Sequence, residues 1–159
     1  MPIDHTASDA IRIIEITGDD GRIREPSWLA AAEPVHRQLR PQLPDDYAGS
    51  LRRVFAGGGR MVVAVDGSTV AGVAVFRIHE NTFAGRQLYV DDLVTDAGRR
   101  SRGLGRTLLR WLELHALQQA CAVLALDSGV QRYRAHRFYF REGLHIASYS
   151  FRKDLEQAP

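Results

Sequence analysis

Between residues 87 and 119 the hydrophobic period changes from two to 3.6 across one short segment, Asp96-Ala-Gly-Arg-Arg-Ser-Arg-Gly-Leu-Gly-Arg106. Gln87 to Thr95 reads as a strand, whereas Leu104, Leu108, Leu109, Trp111 and Leu112 take helical spacing. The segment between them must be a strand-to-helix turn. Gly98, Gly103 and Gly105 let backbone amides converge there and let a ligand approach closely. The start of the helix adds N–H groups without intrahelical partners and a partial positive charge. A turn of this kind is an anion site, most naturally for phosphate. Arg99, Arg100, Arg102 and Arg106 add positive charge to it.

The remaining pattern places this turn late in a mixed fold. After a loose tail at residues 1–10, Ile11 to Thr17 reads as a strand. Pro26 to Arg40 and about Pro44 to Phe55 read as helices, bounded by Pro41 and by Gly57-Gly58-Gly59. Met61 to Val65 and Val70 to Ile78 form a hairpin around Asp66-Gly67, followed by the strand that ends at Thr95. Beyond the helix from Leu104, Cys121 to Leu126 is an uncharged run expected as a strand buried on both faces. Gln131 to Glu142 reads as a helix closed by Gly143, and Leu144 to Lys153 alternates as a last strand. The expected fold is α/β, one domain over residues 11–159 in the order β-α-α-β-β-β-α-β-α-β, with helices on both faces of a mixed sheet.

Phosphate motifs can be tested against the letters. Gly98 and Gly103 have the gap of a P-loop, but Leu104-Gly105 stands where Lys-Ser/Thr is required. Gly103-Leu-Gly105-Arg-Thr-Leu108 lacks the third glycine of a dinucleotide fingerprint. The pattern Arg/Gln-x-x-Gly-x-Gly/Ala is met in full by Arg100-Ser-Arg-Gly103-Leu-Gly105. With Leu88-Tyr-Val-Asp-Asp-Leu-Val-Thr95 before it and Ala135-His-Arg-Phe-Tyr-Phe-Arg-Glu-Gly143 after it, the chain resembles the GCN5-related N-acetyltransferase superfamily over roughly residues 11–153. Leu144 departs from the phenylalanine usual after the second motif.

The resemblance implies acetyl-CoA as co-substrate and direct transfer of its acetyl group to a primary amine. It assigns Arg99, Arg100, Ser101, Arg102, Gly103, Leu104, Gly105 and Arg106 to the pyrophosphate, and Leu93 and Val94 to the pantetheine arm. The Val94 amide is expected at the thioester carbonyl, where it stabilises a developing oxyanion. Tyr139 is the expected acid for the departing thiolate; Ser128 and His136 are further cofactor contacts. A core-packing role for Tyr139, a turn role for Ser128 and a surface role for His136 are the structural counterparts.

Asp91 and Asp92 adjoin on a strand and are expected on opposite faces. Leu88, Val90, Asp92 and Val94 would share a face, which favours Asp92 as the one that attracts the amine and relays its proton. Asp45, Asp46, Asp91 and Asp92 hint at a cationic acceptor, with Trp28 and Tyr47 as candidates for an aromatic wall and core packing as the commoner role of Trp28. Cys121, the only cysteine, sits among apolar neighbours as a core thiol, and the histidines lack metal-ligand spacing, so no metal is expected. Two other function classes remain open: a non-catalytic acyl-CoA sensor on the same fold, and an Arg-rich nucleic-acid binder. Against nucleic acid stands a net charge of only +2, from 21 Lys+Arg and 19 Asp+Glu, with no interleaved aromatics. No apolar run is long enough to span a membrane and the N-terminus lacks an apolar leader, so the expectation is a soluble cytoplasmic protein. The resemblance leaves a homodimer open.

Overall fold

The structure is a computed structural model that describes residues 11–99 and 102–156. The expected tail at 1–10, Arg100 and Ser101 lie outside the described residues. The chain divides into two compact units, one running to Leu126 and the other from Asp127 onward.

In the first unit, β1 (Arg12–Glu15), β2 (Arg60–Asp66), β3 (Thr69–Asn81), β4 (Gly85–Thr95) and β5 (Val123–Leu126) form one sheet in sequence order. The first three pairings are antiparallel and β4 with β5 is parallel, as a helical crossover between them requires. The sheet separates two cores, because alternate residues of one strand enter opposite layers. Val63, Val65, Val73 and Val75 meet Leu29, Ala32 and Val35 of α1 (Pro26–Leu39) and Leu51 and Phe55 of α2 (Tyr47–Ala56). Val62, Ala64, Ala74 and Phe76 meet Leu104, Leu108 and Leu112 of α3 (Leu104–Gln118).

The helix ends follow local chemistry. Pro26 occupies the first turn of α1, where the missing N–H costs nothing. The Asp46 carboxylate accepts from the Gly49 amide at 2.9 Å and caps α2. In the second unit α4 (Tyr133–Arg141) ends on Gly143 at φ +88°. There the Leu144 amide donates to the Tyr139 carbonyl and the Gly143 amide to the Phe140 carbonyl, the paired bonds of a Schellman motif.

Three expectations fail. No strand forms over Leu144–Lys153: residues 144–156 carry no regular secondary structure. Alternation defines faces but supplies no ladder partner, and the described residues of the second unit contain no other strand. Nor is β5 buried on both faces. Val123 is exposed and Leu124 to Leu126 are half-buried, because β5 is last in the sheet order.

The third failure is the face assignment in β4. Phe76 pairs with Val90, but Val75 pairs with Asp92, so Asp91 is an extra residue in β4. The bulge reverses the alternation. Leu88 and Val90 face the α3 core, whereas Val94 packs against the α1–α2 core and Asp92 bonds to α1.

Gly72 of β3 marks the closest approach of sheet and α3. A Cβ there would lie 2.8 Å from Leu108 Cδ1 and 3.4 Å from the Val94 carbonyl oxygen. Gly72→Val should therefore destabilise the protein by about 1–3 kcal/mol through overpacking, read as a lower urea midpoint at unchanged slope.

Candidate active site

The chain leaves β4 at Thr95, makes a 3₁₀ turn over Ala97–Arg99 and enters α3 at Leu104. Gly103 is the N-cap of α3 in a left-handed conformation, φ +72°, which explains a glycine at this position. Among the described residues no side chain caps the helix, and beyond its chain neighbours and the helix's own backbone no described atom lies within 4 Å of where a Gly103 Cβ would project. The first amides of α3 therefore have no side-chain acceptor among the described residues. This fits a phosphate-bearing ligand, with Gly103, Leu104, Gly105 and Arg106 at the helix start. Leu104 itself is buried in the α3 core, so only its backbone is available to a ligand.

The loop is anchored at both ends. Gln38 of α1 donates to Asp96 Oδ1 at 3.0 Å and accepts from the Ala97 amide at 2.9 Å. Those bonds, with the Gly98 amide, hold the Asp96 carboxyl below the usual carboxylate range. Arg99 and Arg102 both reach Oδ2 of Asp66, at 2.6 and 3.3 Å.

Beside this loop the sheet opens. Among the described residues β5 pairs with β4 over Gln87–Val90 alone, and β4 runs on through Asp91–Thr95 with β3 as its one ladder partner. Leu93 and Val94 lie on that one-sided stretch, Leu93 packing toward the α3 core and Val94 toward the α1–α2 core. A strand edge of this kind offers backbone donors and acceptors to an extended ligand.

Both acids of β4 are engaged on the α1–α2 side. Asp92 accepts from His36 Nε2 at 2.7 Å and from Arg40 Nε at 2.7 Å, one carboxylate oxygen each. His36 Nδ1 lies 2.9 Å from the Tyr47 hydroxyl. Because the carboxylate only accepts, Nε2 carries the hydrogen it shares with Asp92, and Nδ1 shares a hydrogen bond with the Tyr47 hydroxyl. The His36 side chain is 2% exposed and that of Asp92 13%. Burial alone would raise the Asp92 pKa; the His36 hydrogen bond and the Arg40 charge outweigh it and hold the carboxyl below its ordinary range. Burial, reinforced by Glu33, pushes the Tyr47 phenol well above its usual value. Asp91 accepts from Arg77 Nε and Nη2 at 2.9 and 2.7 Å, while Arg77 Nη1 donates to the Gly57 carbonyl at the end of α2. The expectation of opposite faces for Asp91 and Asp92 is therefore overturned by the bulge. His36 and Arg40 carry no motif, and only their positions on the last turns of a helix ahead of the sheet could have pointed to them.

In the second unit, the Ser128 hydroxyl is buried without a hydrogen-bond partner among the described residues. His136 Nε2 donates to the Gly129 carbonyl at 2.9 Å. Tyr139 is half-buried, with the Phe138 ring 5.5 Å away, and burial raises its phenol pKa. The Cys121 thiol is buried and its pKa is raised, against any nucleophilic use. No group of three His, Cys, Asp or Glu side chains among the described residues is placed to hold a metal ion. No helix among them is long and apolar enough to cross a membrane.

Residues 24–144 match the family described as acetyltransferase (GNAT). The chain is 44% identical over 72 residues to "Uncharacterized N-acetyltransferase YhdJ" of Bacillus subtilis (strain 168), covering 45% of this chain and 51% of that protein. It is 32% identical over 80 residues to an aminoalkylphosphonate N-acetyltransferase of Salmonella typhimurium, covering 50% of each. The chain thus spans about half the length of these curated relatives. Among solved structures, the aminoglycoside N-acetyltransferase AAC(6')-Iy in complex with CoA aligns over 93% of this chain and 96% of its own, with TM-score 0.78 and 14% identity. A Trypanosoma brucei acetyltransferase aligns over 92% and 100%, with TM-score 0.73 and 21% identity. At these identities the likeness is one of fold.

The buried Asp92 pair has a pH signature. A carboxyl whose folded pKa is depressed stabilises the fold above its ordinary value of 3.8, and that stability is lost as pH falls through the folded pKa. Asp92→Asn should cost about 3 kcal/mol at pH 7, since it leaves Arg40 and His36 without their anion. The variant should also flatten the loss of wild-type stability below about pH 4, measured by urea unfolding across pH.

Proposed function

We propose that this chain, which belongs to the acetyltransferase (GNAT) family, transfers an acetyl group from acetyl-CoA directly to a primary amine. The observation that carries the reading is the one-sided end of β4 followed at once by the uncapped, left-handed Gly103 start of α3. One element offers a strand edge to an extended pantetheine arm, and the other offers amides and a helix dipole to a pyrophosphate.

Acetyl-CoA supplies an acyl thioester whose thiol is a fair leaving group. In this reading the arm runs along the open edge at Leu93 and Val94; the register pairs the Val94 amide with Val73 of β3, so the Leu93 amide, turned away from β3, takes the role expected of Val94 and donates to the acyl oxygen as negative charge develops there. Gly103 to Arg106, with Arg99, Arg100, Ser101 and Arg102, hold the phosphates. Ser128 and His136 are further contacts, and the unpaired Ser128 hydroxyl supports the first of these. Tyr139, by its match to the family motif, donates its phenolic proton to the sulfur as the C–S bond breaks and the C–N bond forms. Its raised pKa keeps that proton in place through neutral pH. The ammonium loses one proton to water before attack; the second, left on nitrogen as the C–N bond forms, passes through water to the Tyr139 phenolate and restores the acid. In this reading Asp92, its carboxylate held ionised, bonded through both oxygens and matched by Arg40, anchors β4 to α1 rather than attracting the amine or taking its proton.

The acceptor is proposed as an aliphatic amine, cationic until it loses its proton. Asp91 and Asp92 are matched by Arg77 and Arg40, so this stretch carries no surplus of negative charge that would demand a polycation. Relatives named for aminoalkylphosphonate and aminoglycoside acceptors give the first two amine classes to screen. A cytoplasmic setting belongs to the same proposal.

Calorimetry should show CoA binding to the wild type, and Gly103→Val should weaken it by at least about 10-fold, because a β-branched side chain fills the approach and cannot adopt the left-handed backbone. No binding by the folded wild type contradicts the reading, and CoA binding without thiol release from any amine reduces the chain to a binding module. Once an acceptor is found, Tyr139→Phe should lower turnover about 10²- to 10⁴-fold with little change in CoA affinity. The wild-type rate should fall as pH rises through the raised phenol pKa, above 10, and that limb should vanish in the variant. Full turnover by Tyr139→Phe would return the residue to packing.

A further inference from the structure

Asp66 ends β2 at the tight turn into β3, and its side chain is 7% exposed. A carboxylate buried to this degree needs compensation. It receives two arginines on one oxygen: Arg99 Nη1 at 2.6 Å and Arg102 Nη1 at 3.3 Å from Oδ2. These arginines bracket Arg100 and Ser101, and Arg102 immediately precedes the Gly103 N-cap. Arg99 is also 3.8 Å from Asp96, which Gln38 ties to α1. The loop is therefore held at Asp96 by α1 and at Arg99 and Arg102 by a carboxylate on the end of the β2–β3 hairpin. Asp66 itself is held in register opposite Thr69.

The geometry points to Asp66 as a positioning residue for the phosphate loop: it gathers Arg99 and Arg102 so that these two residues, and with Arg102 the Gly103 N-cap, are set before CoA arrives. The inference rests on the CoA reading above and deepens it. Two guanidinium groups on one short loop repel each other, and a shared buried anion turns that repulsion into a fixed spacing. Preorganisation of this kind reduces the ordering cost of binding.

A charge-only account and the positioning account predict opposite signs. Asp66→Asn removes a negative charge beside a site for an anion, so simple attraction would tighten CoA binding. If Asp66 positions the loop, binding weakens in spite of the added positive charge.

The test combines CoA calorimetry with amide hydrogen exchange on the ligand-free wild type, Asp66→Asn and Arg99→Lys. For Asp66→Asn we expect a Kd for CoA raised about 10-fold, the size of one lost charge-assisted hydrogen bond. Exchange should also accelerate between Asp96 and Arg106, with the sheet amides unchanged. With an accepting amine in hand, KM for acetyl-CoA should rise while kcat stays within about twofold, since no reacting atom is touched. Arg99→Lys keeps the charge and loses the fork; because Arg99 is itself proposed as a phosphate contact, its diagnostic readout is loop exchange in the ligand-free protein, which should accelerate and which replaces Asp66→Asn if that variant does not fold. Equal or tighter CoA binding with unchanged loop exchange overturns the inference. Failure of the CoA reading looks different: the wild type itself binds no CoA, and loop exchange then judges the positioning role by itself.

Discussion

One extra residue in β4 is the constraint on which the rest of the site depends. By inserting Asp91 between Val90 and Asp92, the chain reverses which side chains face which core. Before the bulge, Leu88 and Val90 complete the packing of α3; after it, Val94 joins the α1–α2 core. The same insertion carries both carboxylates to the α1–α2 side, where Arg40, His36 and Arg77 receive them. A bulge leaves the ladder locally irregular and free to drift, and here three side chains from outside β4 fix it. The Tyr47–His36–Asp92 chain ends in a core tyrosine rather than at solvent, which suits an anchor better than a proton path. Beyond the bulge β4 parts from β5, so the anchor and the open strand edge are two consequences of one insertion.

Charge is handled the same way throughout the first unit. Each acid near the proposed site, Asp66, Asp91, Asp92 and Asp96, is paired with an arginine or an amide from another element or a neighbouring turn. An isolated surface pair would add little. These are partly or largely shielded, and each fixes backbone that the proposed chemistry uses: the β4 edge by Asp91 and Asp92, the loop by Asp66 and Asp96. The prevalence of arginine, which supplies all of the bases but Lys153, suits this use of forked, bidentate donors.

The sequence made the order of elements legible because hydrophobic period and glycine placement are local signals. The switch from alternation to helical spacing located α3 at Leu104, and Gly143 closed α4 where the pattern expected it. What escaped depends on partners distant in the chain. Alternation at Leu88, Val90, Asp92 and Val94 is read correctly residue by residue and fails at a bulge that no letter announces. His36 and Arg40 lie more than 50 residues before Asp92, and the pairing exists only after the sheet has brought α1 over β4. Leu144–Lys153 shows the converse: a good strand pattern forms no strand without a neighbour in its unit. Asp66 reads as an ordinary hairpin residue, and its arginine partners become visible only when the hairpin lies beside the loop.

The central claim is that the open end of β4 and the start of α3 form one CoA site. Backbone amide resonances followed during titration with CoA test it directly. The account predicts saturating shifts concentrated at Leu93 to Thr95 and Gly103 to Arg106, appearing together with one affinity. Shifts confined to other parts of the sheet, or two sets that titrate with different affinities, would contradict it.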